Sequence, residues 1–323
     1  MTLALSVTGV EAIGRARGET VNGEVAPRPH DLGGGSNRRT QGGNMGVRQR
    51  GMLVATLWWG CMVWVWAEAA SQTTQQNGLD IVCEFTDLSH IAKAMSVLKG
   101  KQNIVIFYLK LRHNNLPKLQ GFVFLGLEIS HLTIHNSSLA VVEESSLSSI
   151  GKGLTQLDLS QNSLSTVPSN SFKNLNHLLI LNMNYNKVAT IHNQAFEGLD
   201  TLEILTLYEN RLSNIDSLAF KGLEKKLRRL NLGGNELSAV PTEALSIMDT
   251  LKKLEMQENH ITDIHEGDFE GLRNLDSLSL AHNHLKEVPA RVFSHLTILN
   301  SLELEGNAII HVDQFAFVGL EGK

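Results

Sequence analysis

The sequence predicts an α/β solenoid: stacked turns sharing one parallel β-sheet on a concave face, with a convex side that is mostly irregular or short-helical. Three observations predict it. From Leu154 the chain repeats with a period of 24 residues, once 25, and new turns open at Leu178, Leu202, Leu227, Leu251, Leu275 and Leu299. In each turn positions 1, 4 and 6 are apolar and position 9 is asparagine. Pro168, Pro241 and Pro289 recur at position 15, where they would break any long helix. A fixed period of this length marks units that cannot bury their apolar faces alone and do so by stacking.

Each element follows from its residues. The stretch around positions 3 to 7 alternates with period 2, so it reads as a short strand with its leucines turned inward. After the strand the backbone bends, and buried N–H and C=O groups lose their ladder partners. An amide side chain offers both donors and an acceptor, so asparagine at the bend satisfies them. Asn162, Asn186, Asn210, Asn235, Asn259, Asn283 and Asn307 occupy that position and should form a structural ladder. Position 19 is Phe172, Phe196, Phe220, Phe269, Phe293 or Phe317, with Leu245 in the turn from Leu227. These rings should stack along the convex side, each stabilising by about 1.5–3 kcal/mol when buried. Two weaker turns open at Ile106 and Ile129, which makes about nine repeats over 106–323. In the second of these Ser137 takes the ladder position.

The pattern LxxLxLxxNxLxxV/I, with Pro or another residue next and Phe at position 19, resembles the typical 24-residue class of extracellular leucine-rich repeats. That class includes Toll ectodomains, Slit, chaoptin and related arthropod surface proteins. The resemblance covers roughly residues 106–323 and implies a horseshoe-shaped leucine-rich-repeat solenoid. It implies fold far more sharply than partner. Relatives often carry four cysteines in an N-terminal cap and a cysteine-rich segment at the other end. Here neither is matched; the chain is expected to continue past Lys323, with capping of that end by a partner as the alternative.

The first part of the chain reads differently. Residues 1–44 hold nine glycines and five arginines without apolar periodicity, and are expected to be disordered or absent from the mature chain. Arg48 and Arg50 then precede an uncharged apolar run, Met52 to Trp66, that ends at Ala67-Glu68-Ala69. A basic start, an apolar core and a small-x-small site make 45–69 a signal peptide. The run is shorter than the roughly 20 residues a membrane-spanning helix needs. Cleavage near Ala69 is expected, with an uncleaved signal anchor as the alternative. Residues 70–105 read as an N-terminal cap: Ile81–Phe85 as a strand, then a helix capped by Asp87, carrying Leu88, Ile91, Met95 and Leu98 and stopped at Gly100. The chain has two cysteines, Cys61 and Cys83. Loss of Cys61 with the leader leaves Cys83 without an internal partner, which suggests an intermolecular bond, a free thiol or missing sequence.

A partner should meet the outward strand positions. Ile180 and Ile204 at position 3, Tyr208 at position 7 and Tyr185 at position 8 form an apolar and aromatic patch. Arg229 and Lys253 follow at position 3 as basic neighbours, while Glu255, Glu258, Glu303 and Glu305 make the C-terminal part acidic. Asn136-Ser137-Ser138 is the one N-x-S/T sequon, so Asn136 is the glycosylation candidate.

Other chemistry is not expected. His131 and His135 face the same way on one strand but stand roughly 13 Å apart, too far for one zinc. His282 and His284 flank a ladder asparagine and read as solvated. Ile150-Gly151-Lys152-Gly153 lacks the glycine spacing of a phosphate-binding loop. No nucleophile–base or paired-carboxylate arrangement stands out, so no enzyme, metal or cofactor is anticipated. The formal net charge of -5 gives no electrostatic case for nucleic acid. The reading is an extracellular protein-binding module for adhesion or reception, with a protein ligand or co-receptor as partner. The alternative is a secreted structural or accessory protein of the matrix or of an enzyme complex. Membrane association would come only through chain beyond Lys323 or an uncleaved anchor.

Overall fold

Ten strands in parallel register carry the fold in a computed structural model that describes residues 51–57, 61–67, 77–99 and 104–320. The ten run from Asn77–Glu84 through Ile104–Arg112, Glu128–His135 and Gln156–Asp158 to Ser301–Glu303. Successive turns are in register leucine to leucine: Leu109, Leu132, Leu157, Leu181, Leu205, Leu230, Leu254, Leu278 and Leu302 form one continuous row. All but Leu302 are fully buried, because the pleat turns every second side chain to the same side. The strong repeats use strands of only three residues, such as Ile204–Thr206, since the chain bends directly after position 5.

The turn count is ten rather than nine. Asn77–Glu84, expected to belong to a separate cap, pairs in parallel with Ile104–Arg112 and is the first rung of the same sheet. Its return path is the helix Leu88–Leu98, capped by the Asp87 carboxylate, which accepts from the His90 N–H. Ile91, Met95 and Leu98 of that helix are buried at the 3–4 spacing of one helical face.

The convex side holds two four-residue helices, Ser169–Phe172 and Thr242–Leu245, among the described residues of the strong repeats. Each begins directly after its position-15 proline, Pro168 or Pro241, as suits a residue with a preset φ and no N–H to lose. Two-residue parallel bridges such as Thr190–Ile191 with Asn214–Ile215 join other turns. The phenylalanine column is stacked: Phe196 on Phe220 at 6.2 Å, Phe269 on Phe293 at 5.9 Å and Phe293 on Phe317 at 6.1 Å between ring centres. Phe124 occupies the equivalent position in the turn from Ile106 and is fully buried, a member the sequence pattern did not single out.

Residues 1–44 lie outside the described residues. Within 45–69 the backbone is described for Gly51–Leu57 and Cys61–Ala67, which pair as an antiparallel hairpin. The second of these strands pairs antiparallel with Asn77–Glu84 and sets Cys61 opposite Cys83. Cys83 is disulfide-bonded. The expectation of a partnerless Cys83 is therefore corrected for the intact chain: an antiparallel return brings the chain's two cysteines to adjacent backbone positions, the span a disulfide needs.

Candidate sheet-face recognition site

The outward-facing position 3 is a single row across the sheet: Gln156, Ile180, Ile204, Arg229, Lys253, Ser277 and Ser301. Ile180 and Ile204 are direct neighbours in register and half-buried. Both stand on the solvent side because Leu181 and Leu205, one residue on, are pulled into the core. Two adjacent aliphatic side chains in an otherwise polar row are the apolar part of the site.

Position 8 forms the edge beside them, and its backbone is the same in every strong turn. Gln161, Tyr185, Glu209, Gly234, Glu258, His282 and Gly306 all have φ between 52° and 71°. This left-handed bend turns the chain away from the sheet, and the ladder asparagine follows it. For non-glycine residues the conformation is unfavourable, yet the fold imposes it turn after turn because the asparagine hydrogen bonds fix the bend. Tyr185 is therefore held out into solvent, 49% exposed, with its ring edge-on to that of Tyr208 at 5.7 Å and 81°.

Tyr208 is less free than the sequence suggested. It is half-buried, and its hydroxyl donates to Glu258 Oε2 at 2.6 Å. The carboxylate acceptor, with burial and the negative charge of Glu258 adding to it, pushes the phenol well above its ordinary range. The bond spans the intervening turn, which carries Gly233-Gly234 at the two positions where side chains would stand in the way. A Cβ on Gly234 would meet the Tyr208 ring and the Glu209 side chain at 3.1 Å.

The basic neighbours are likewise engaged. Arg229 Nε donates to Glu255 Oε2 at 2.8 Å and its Nη2 to Oε1 at 3.0 Å. Lys253 Nζ lies 3.1 Å from the same carboxylate. Glu255 lies two residues after Lys253 on the same strand, opposite Asn231, and is largely buried, so one anion serves two cations. Of the acidic residues expected here, Glu255 is paired with Arg229 and Lys253, while Glu258 keeps its charge and accepts from Tyr208. Glu303 and Glu305 remain exposed on the last strand region.

Beneath the edge, the asparagine side chains knit the turns. Asn210 Nδ2 donates to Met183 O of the previous turn and to Leu207 O of its own, while its Oδ1 accepts from Val188 N. Asn162, Asn186, Asn235, Asn259, Asn283 and Asn307 repeat the pattern. Ser137 substitutes with its Oγ accepting from Asn114 N. Asn114, not marked by the sequence pattern, extends the ladder to the first rung by donating to Cys83 O and accepting from Thr86 N. Its signal was present: it is position 9 of the turn from Ile106.

A second group was missed because it assembles across turns. Phe85 is 82% exposed and stacks on His113 at 5.5 Å, and His113 meets His135 edge-on at 6.3 Å. Tyr108 stacks on His131 at 4.5 Å with Lys110 Nζ 5.2 Å from its ring centre. His131 Nδ1 bonds Phe107 O and His135 Nδ1 bonds Ser160 Oγ, so the two histidines of that strand are held apart by separate partners. His284 stacks on His260 at 5.5 Å, away from His282. Asn136 is exposed with φ 46°, and its Nδ2 lies 3.0 Å from His113 Nδ1. Among the described residues no group of three or more His, Cys, Asp or Glu side chains is placed to hold a metal ion.

Comparison with known proteins agrees with this architecture. Residues 103–226 match the BspA type leucine rich repeat region in six copies, and residues 225–285 and 273–322 match the leucine rich repeat family. No curated protein matches. A solved structure described as the crystal structure of a TLR13-ssRNA13 complex matches at 26% identity with a TM-score of 0.66, over 74% of this chain and 33% of that one. The chain thus spans about a third of that protein's length. It is one of 384 solved chains that match, so the likeness establishes the fold without selecting a ligand.

Proposed function

The chain belongs to the leucine-rich-repeat proteins and is similar to Toll ectodomains, and on that premise we propose that it is an extracellular recognition module whose sheet face holds a protein ligand. The observation that carries this reading is the pair Ile180 and Ile204, side by side in register and flanked by the exposed ring of Tyr185. Aliphatic side chains on a solvated strand face, edged by tyrosine, are the material of binding hot spots. The ligand contact would centre on these three, with Tyr208 as a positioned wall and the Arg229–Glu255–Lys253 group as a polar rim. Entry to the secretory pathway would come through the leader at 45–69. No helix of the described residues is long and apolar enough to cross a membrane.

The TLR13 structure was solved with ssRNA. For this chain we favour a protein ligand, because Arg229 and Lys253 are committed to Glu255 and the formal net charge is -5. The test compares the wild type with the Ile180→Asp/Ile204→Asp variant as bait for extracellular proteins, and titrates both with labelled single-stranded RNA. Loss of one defined protein partner from the variant, with an unchanged circular dichroism spectrum, is the expected result. Equal capture by both baits sinks the apolar patch. Specific RNA binding that the two aspartates abolish replaces the protein ligand with nucleic acid.

A further inference from the structure

We infer that an N-linked glycan on Asn136 lies along the His113 and Phe85 rings and closes the N-terminal part of the sheet edge to ligands. The inference rests on the secretory reading above. Glu84, Arg112 and His135 are aligned in register, so Phe85, His113 and Asn136, each one residue on, form a row along the edge. All three have positive φ, at 53°, 55° and 46°, which lifts their side chains off the sheet. Phe85 is the most exposed aromatic ring among the described residues and packs one face on His113. Phe85 and His113 together present an exposed aromatic surface beside Asn136.

The sequon supplies a cover for that surface. Asn136 and Ser138 are both exposed, as the glycosylating reaction requires. Nδ2, the atom that would carry the sugar, already points at the His113 ring, 3.0 Å from Nδ1. A glycosylated amide keeps one N–H, so this hydrogen bond survives attachment. The sugar takes the place of the other N–H, so it starts from an amide anchored on His113, with Phe85 next in the same row. The C–H face of a pyranose is apolar and packs on an aromatic ring much as another ring would. In the opposite direction along the edge stands Gln161, which offers no such surface. The apolar pair Ile180 and Ile204 lies two and three turns further along the sheet and is left uncovered.

The full chain, expressed in a eukaryotic secretory host, tests this. Ser138→Gly removes the sequon while leaving Asn136 in place, and glycine suits the φ of 56° at that position. Phe85→Asn removes the ring with a residue that tolerates the left-handed region. The expected results are a glycosidase-sensitive mobility shift lost in Ser138→Gly, and hydroxyl-radical labelling of Phe85 that rises severalfold in Ser138→Gly. The melting temperature should fall by roughly 2–4 °C on losing the glycan, and that fall should vanish in the Phe85→Asn background. Secreted chain without the shift, or Phe85 labelling that does not respond to the glycan, overturns the inference while leaving the secretory reading standing. Chain that stays protease-sensitive outside microsomes overturns both.

Discussion

The hydroxyl of Tyr208 reaches over Gly233-Gly234 to Glu258, two turns along the solenoid, and donates to its carboxylate at 2.6 Å. A side chain on one turn is thereby tied to the next turn but one. It can reach because the middle turn has no side chain at either edge position. A β-carbon at Gly234 would press on the Tyr208 ring. The strut fixes the Tyr208 ring, against which the Tyr185 ring stands edge-on.

Tyr208→Phe keeps the ring and removes the strut's hydrogen bond. Because the pair is partly exposed, the expected loss is about 0.5–1 kcal/mol at neutral pH. The sign with pH follows from the raised phenol. A group titrating higher in the folded chain contributes fully below the unfolded value of 10.0 and loses that contribution as pH rises above it. The stability difference between wild type and variant should therefore be constant from pH 7 to 9 and shrink above pH 10. Urea unfolding at each pH measures it; a difference that grows with alkalinity contradicts the assigned donor and acceptor.

Removing a ladder amide in mid-solenoid strips several buried backbone groups at once. Asn210→Ala leaves Val188 N, Met183 O and Leu207 O without their side-chain partner. The expected cost is about 2–4 kcal/mol, from the desolvation penalty of unsatisfied groups. Asn307→Ala, at a half-exposed position where water can substitute, should cost well under half of that. Equal costs for the two in thermal melts would show that the ladder's burial is not what makes it count.

Glu255→Gln tests how far one carboxylate neutralises the face. Arg229 and Lys253 lose their shared anion and become an unpaired basic pair beside Ile204. Single-stranded RNA should then bind measurably, with an affinity that falls as salt rises. RNA binding by the wild type with the same salt slope would show that Glu255 does not mask the two cations.

The leader reading and the Cys83 disulfide make opposite demands on Cys61. Cleavage near Ala69 takes Cys61 away, whereas the hairpin of the intact chain keeps it opposite Cys83. Mass spectrometry of secreted material is expected to find a mature N-terminus close to residue 70. A peptide spanning residues 60–75, or one joining Cys61 to Cys83, would show that the hairpin is retained as the sheet's first edge.

The site was legible in part. The positions of Ile180, Ile204, Arg229 and Lys253 followed from counting residues in the repeat, since a strand's period places position 3 on the outer face wherever it occurs. What counting could not supply was the pairing between turns. Arg229 meets Glu255 across 26 residues and Tyr208 meets Glu258 across 50, and neither spacing is a motif. Phe85, His113 and Asn136 likewise become a row only when their turns stack. Asn114 and Phe124 were within reach of the pattern, but the irregular spacing of the first turns hid them.

By itself the sequence determined the repeat, its register, the inward leucines and phenylalanines, and the asparagine ladder, because burial and backbone hydrogen bonding act within a turn or between identical positions of adjacent turns. Tertiary structure alone decided that the first strand joins the sheet as a tenth rung, that Cys83 has a partner across an antiparallel pair, and which outer side chains are left unengaged. Those outcomes depend on which chemically different residues stacking brings within hydrogen-bond distance, and a periodic pattern carries no information about that.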